Sequence, residues 1–299
     1  EVSALKDAAI SDAEFMGQAE LVYLERRRML DHALDRYTTN PEGGLLFFYV
    51  SSVDLPMHMM WRHSDPEHPS YDAELAREDS TWWSDREGST WSDIIDDLYL
   101  KIDPFVGTVL DRVGEDATVM LMSDHGFAPY RRKFSLNTWL LENGYLFLKE
   151  DAEREKPEDD PSLTKVFIDS AVDWSRTRAY GMGFNGLYLN LRGRESQGSV
   201  EPGDEQTMLD IVVGDNAGYG NSDEASQGLI PHAVLSDNVG GTFNGSHLMH
   251  PSVVHGVLVT NRSVSVQDPA LEDLTATILR AYGVEPEPGT TGRPIFTSN

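Results

Sequence analysis

An α/β fold, a mostly parallel central sheet sandwiched by helices, is what this sequence predicts, and three observations predict it. Short continuous apolar runs at 45–50 and 118–122 read as strands buried on both faces. Amphipathic stretches with helical period alternate with such runs along the chain. The composition, 39% hydrophobic and 25% charged over 299 residues, allows a sizeable core, and residues 1–299 are read as one domain.

Taken in order, residues 11–38 predict one long helix. Leu21, Leu24, Met29, Leu30, Leu34 and Tyr37 recur near helical spacing, and Asn40-Pro41-Glu42-Gly43-Gly44 stops the pattern. The apolar run 45–50 then predicts a strand. Residues 62–95 are polar and carry Trp82, Trp83 and Trp91, which suits either an ordered excursion over a site or a surface loop packed on its own aromatics. A helix over 92–113 leads into the second buried run. Residues 135–143 predict a short helix ended by Gly144, and 150–161 an acidic loop. Further strands are expected at 187–190, 211–213 and 257–259, and a closing amphipathic helix at 273–282. The sequence contains no internal repeat.

Twenty-four basic against fifty acidic residues give a net charge of −26. That field argues against a nucleic-acid polymer or an anionic membrane surface as partner. No apolar run approaches the length of a membrane span, and residues 1–12 lack the basic-then-apolar pattern of a secretory signal. An anionic small molecule would need the local sign reversed, which bound cations would do; the plainer reading of the charge is a solvated acidic surface. The absence of cysteine leaves histidine and carboxylate as the strong metal ligands.

In α/β sheets ligands gather beyond the carboxyl ends of strands, so the residues after each apolar run carry most interest. Asp54 and His58 follow the first run four apart and would share a face if the chain turns helically there. Taken alone, such a pair is more often surface chemistry or a helix cap. After the second run, Ser123-Asp124-His125-Gly126 sets a carboxylate and an imidazole side by side before a glycine that tolerates a tight turn; a plain turn would read the same. Asn244-Gly245-Ser246-His247 precedes the run at 257–259. Carboxylates and imidazoles without sulfur suit zinc or manganese, and paired metals in phosphoryl chemistry. His63, His68, His232, His250 and His255 read as structural or solvated, and Trp61, Trp82 and Trp83 as packing rather than stacking on a substrate. The Asn-x-Ser patterns at Asn244 and Asn261 read as chance.

The order of these segments resembles the alkaline phosphatase superfamily, and more closely its type I phosphodiesterase and nucleotide pyrophosphatase branch. The similar text includes Val53-Asp54 through Arg62, Ser123-Asp124-His125-Gly126-Phe127-Ala128, Asn137-Thr138-Trp139-Leu140-Leu141, Thr177-Arg178-Ala179-Tyr180, Gly218-Tyr219, Gly245-Ser246-His247, Asp273-Leu274 and Gly292-Arg293-Pro294. The resemblance runs over roughly residues 44–295 and implies an alkaline phosphatase-like catalytic domain. It implies that Asp54, His58 and His247 hold one divalent ion and Asp124 and His125 a second, zinc or alternatively manganese, and that a small-molecule phosphate ester is hydrolysed.

Members of the superfamily carry a further aspartate and a serine or threonine nucleophile ahead of the position of Asp54. Residues 1–43 read as helix, and Thr81, Ser89 and Thr90 lie on the wrong side of Asp54. The expectation is therefore a chain lacking its amino-terminal portion and that nucleophile, with a second departure near Met208, where either this member is trimmed or residues are absent. The competing readings are a phosphomutase of the same superfamily and a catalytically silent metal-binding fragment. The aldehyde-forming motif of sulfatases is absent.

Overall fold

A computed structural model describes residues 2–152, 166–183, 186–204, 214–222, 228–241 and 243–296. Its elements in chain order are helices α1 (Val2–Lys6), α2 (Asp12–Thr38), α3 (Asp54–Ser64) and α4 (Ile94–Val113), then strands β1 (Met120–Met122) and β2 (Ala128–Phe134). Helix α5 (Leu136–Glu142), β3 (Val166–Phe167), α6 (Ile168–Ala171), β4 (Ala179–Met182), β5 (Gly186–Leu189), β6 (Gly218–Asn221), β7 (Leu229–Ile230), β8 (Leu235–Asp237), β9 (Gly245–Ser246), β10 (Leu258–Thr260) and α7 (Leu271–Ala281) complete it. No helix among the described residues is long and apolar enough to cross a membrane.

Two compact units organise the chain. The first comprises 1–21, 51–98 and 127–254. Its sheet is built around β2, which pairs parallel with β6 and antiparallel with β8 and β9. Two antiparallel pairs, β3 with β7 and β4 with β5, flank a core of Leu136, Leu140, Leu146, Ile168 and Val172. The α/β class holds and the sheet is mixed, but the expected parallel majority is corrected: β2–β6 is the one parallel ladder between strands among the described residues. The strands are two to seven residues long and mostly half-buried, so they lack the two-sided burial that parallel sheets require.

A second core of this unit lies behind α3. Met57, Met59 and Met60 pack against Phe15, Met16, Trp83, Trp91, Ile94 and Leu98. Within the stretch 62–95, Trp83 and Trp91 turn inward, 2% and 4% exposed, and support the helix. Helix α3 forms where Asp54 lies in the first turn, favoured by the helix dipole, and Pro56 falls where its missing N–H is harmless. It ends at Asp65, held extended by the following proline. Arg62 and His63, near its end, both engage the Asp12 carboxylate at the start of α2.

The second unit comprises 22–50, 99–126 and 255–299. Tyr23, Leu30 and Leu34 of α2 pack on Phe105 of α4. The α2 boundaries agree with the sequence reading, and the predicted apolar face agrees only in part, at Leu30 and Leu34. Leu21, Leu24 and Met29 are exposed while Phe15, Met16 and Tyr23 are buried, because the packing partners sit on a different stripe. Residues 45–50 belong to no strand. Leu46, Phe48 and Val50 join the core and Leu45, Phe47 and Tyr49 are 58–68% exposed, so the run alternates instead of being buried on both faces. Likewise β1 pairs antiparallel with β10 and leaves Leu121 and Met122 partly exposed. Helices α5 and α7 lie where expected, α7 beginning two residues early with the Asp273 carboxylate accepting the N–H groups of Ala270 and Arg293. The strand expected at 211–213, most of the acidic loop at 150–161 and the departure near Met208 lie outside the described residues.

Candidate metal centre

Three of the five ligands expected from sequence converge in the first unit. The i,i+4 spacing on α3 puts Asp54 and His58 on one helical face, with His58 Nε2 3.8 Å from Asp54 Oδ1. His247, one residue past β9, places its own Nε2 3.8 Å from the same oxygen. The two imidazole centroids are 5.0 Å apart. Two donors each about 2.0–2.2 Å from a single ion can lie as far apart as either imidazole Nε2 lies from the Asp54 oxygen. All three side chains are partly buried, at 14–39% exposure, which keeps the group accessible from solvent.

The orientation of His58 is set from behind. Its Nδ1 lies 2.8 Å from the carbonyl oxygen of Gly245. A carbonyl only accepts, so Nδ1 donates and the ring turns its Nε2 towards Asp54. That arrangement, a ligating histidine with its other nitrogen tied to a carbonyl, is common in metalloproteins. Gly245 can approach so closely because it has no side chain: a Cβ there would lie 2.5 Å from the Met57 carbonyl and 3.0 Å from atoms of Phe127 and Trp61. Rings close around the imidazoles. Phe127 meets His58 and His247 at 4.7 and 5.5 Å, Phe243 meets His58 at 5.3 Å, and Trp61 stacks on Phe127. Trp61 is therefore a packing residue, as its sequence context suggested. Phe127 and Phe243 were missed as determinants. Their adjacency to the Asp124-His125-Gly126 and Asn244-Gly245 motifs was the available signal.

Asp124 and His125 lie in the second unit, just beyond β1. The strand pairing is extended there by Ser123, whose N–H donates to the Val257 carbonyl and whose hydroxyl oxygen accepts the Val257 N–H. His125 Nε2 is 3.6 Å from Asp124 Oδ1, and its Nδ1 is 3.0 Å from the Gly126 carbonyl, so this ring too presents Nε2 towards a carboxylate. Asp124 is 70% exposed.

Two other histidines are structural. His63 is 1% exposed and bonded to Asp12, and His68 bonds the Tyr130 carbonyl. Burial holds the His68 imidazole below its ordinary value, despite that carbonyl. His232, His250 and His255 are exposed. Asn244 is fully buried, which rules out a glycan there, and Asn261 uses its amide to bind the backbone of Ala117 and Val119.

A family model described as type I phosphodiesterase / nucleotide pyrophosphatase matches residues 12–229. The matched stretch contains Asp54, His58, Asp124 and His125, and ends before His247. No curated protein and no solved structure matches the chain.

Proposed function

The chain belongs to the type I phosphodiesterase / nucleotide pyrophosphatase family, and from that premise we propose that it serves a metal-dependent phosphoric ester hydrolase acting on small-molecule phosphate esters. The observation that carries this reading is the convergence of Asp54, His58 and His247 on one carboxylate oxygen from segments nearly two hundred residues apart. We assign these three residues to one divalent ion and Asp124 with His125 to a second, with zinc the first choice and manganese the alternative. The donor chemistry fits: oxygen and nitrogen without thiolate, and a His58 tautomer already oriented for ligation.

When bound, the ions would supply Lewis-acid polarisation of the phosphoryl oxygens and lower the pKa of an attacking hydroxyl. The protein's own residues hold the donors in place and, with the phenylalanine rings, limit the water around them. With a net charge of −26, the chain has little attraction for a phosphate except through such cations. No residue is assigned as the nucleophile.

The test is hydrolysis of bis-p-nitrophenyl phosphate and p-nitrophenyl phosphate with zinc or manganese supplied, alongside metal stoichiometry. Turnover that chelation abolishes and metal restores is expected, with two ions bound. Undiminished metal binding after His58→Ala and His247→Ala together would overturn the first assignment, and the same result for Asp124→Ala with His125→Ala the second.

A further inference from the structure

Asn244 sits where helix α3 should be bonding to itself. In an α-helix the N–H of Arg62 is expected to reach the carbonyl of His58. Here the Arg62 N–H donates to Asn244 Oδ1 at 2.8 Å, while the His58 carbonyl accepts the backbone N–H of Asn244 at 2.7 Å. Its Nδ2 donates to the carbonyl of Met59, one residue on. The Asn244 carbonyl in turn accepts the N–H of Tyr130 on β2, 2.9 Å away. The side chain is fully buried. One residue thereby engages both ends of a helical hydrogen bond and ties it to the central strand of the sheet.

Only a primary amide of this length meets the demand. The site asks for a donor towards Met59 and an acceptor towards Arg62, from one planar group on a short stem. Aspartate would set an anion against the Met59 carbonyl, and serine is too short to serve both. A buried group left unmatched costs about 1–3 kcal/mol.

The consequence falls on the ligands. His58 is gripped twice by consecutive residues, its carbonyl by Asn244 and its imidazole Nδ1 by Gly245. His247 follows three residues later and reaches Asp54 on the first turn of the same helix. We propose that Asn244 is a positioning residue for the metal centre: its amide fixes the register of residues 244–247 on α3, so that His58 and His247 face Asp54 together. The inference rests on the assignment of Asp54, His58 and His247 as ligands. A residue that merely stabilised the fold would act on the melting temperature and leave metal affinity alone.

The experiment uses the whole chain, titrated with cobalt(II) and zinc against a chromophoric chelator, with circular dichroism of each metal-free protein. His58→Ala serves as the control for the ligand assignment. Asn244→Ser and Asn244→Asp should each weaken binding of one ion about 10–100-fold and alter the cobalt absorption band, with the far-ultraviolet spectrum retained. If His58→Ala changes nothing, the ligand assignment itself fails. If His58→Ala abolishes binding of one ion while both Asn244 variants bind like the wild type, the positioning role is overturned. Should neither Asn244 variant fold, the side-chain amide of Asn244 in the wild-type protein decides. Amide proton and nitrogen-15 shifts of Asn244 that move as zinc is added, in step with the His58 imidazole, support the coupling, and Asn244 shifts that zinc leaves unmoved refute it.

Discussion

His58 and Gly245, 187 residues apart in sequence, meet through a 2.8 Å hydrogen bond between the imidazole Nδ1 and the backbone carbonyl. The contact depends on glycine, since a Cβ at residue 245 would fall 2.5 Å from the Met57 carbonyl. Gly245→Ala must therefore push β9 off α3. Metal affinity should fall at least tenfold, and stability by about 1–3 kcal/mol, the range for overpacked sites. Chelator competition and thermal melting measure the two; unchanged affinity would show that the contact does not govern the site.

Removing ligands should act by unit. Asp54→Asn, which keeps shape but removes the charge between two imidazoles, should lower the affinity for one ion and cut phosphodiester turnover by about 100-fold or more, equivalent to about 2.7 kcal/mol. Asp124→Ala should reduce the stoichiometry of the other. Calorimetric titration distinguishes loss of one binding phase from loss of both.

Asp12 links α2 to α3 by accepting from Arg62 and His63. Burial alone would raise its carboxyl, but the His63 hydrogen bond and the Arg62 guanidinium outweigh it and hold it below 3.8. A carboxyl depressed on folding contributes stability that is complete above its unfolded pKa and disappears as pH falls through the folded one. Asp12→Ala should thus cost about 2–4 kcal/mol at neutral pH, since it leaves His63 buried and unpaired. The gap between variant and wild type should narrow below pH 4. Melting temperatures across pH 3–7 test this, and a constant gap would contradict it.

Asp215 behaves in the opposite sense. Burial, at 6% exposure, pushes its carboxyl up to about 6, despite a backbone N–H from Asn221 that pulls it down. The folded protein then binds the proton more tightly than the unfolded chain, so stability falls as pH rises from about 4 to 6 and stays reduced above. Asp215→Asn should remove that penalty, stabilising the protein at pH 7 by about 2–3 kcal/mol and hardly at all near pH 4. Equal gains at both pH values would exclude ionisation as the cause.

Much of the helical structure was legible. The stop after Thr38, the glycine after α5 and the amphipathic period of α7 are local signals, read from neighbouring residues without knowledge of partners. The strand at the centre of the first unit was not legible. Strand β2 reads Ala-Pro-Tyr-Arg-Arg-Lys-Phe, a proline and three cations where an apolar run would be sought. It is a strand because β6, β8 and β9 supply its hydrogen bonds. The reverse error befell residues 45–50, apolar throughout yet paired with no strand among the described residues.

For the candidate site the sequence by itself determined the chemistry of the donors, five carboxylates and imidazoles with no sulfur, and the family to which their order points. The spacing of Asp54 and His58 on one helical face followed from local geometry. Tertiary structure alone decided that His247 Nε2 lies 3.8 Å from the Asp54 carboxylate, that the Gly245 carbonyl accepts from His58, and that Asn244 enters the backbone bonding of α3. Periodicity reports what a residue's near neighbours demand. A hydrogen bond across 187 residues exists only after the core behind α3 has packed and brought the backbones together.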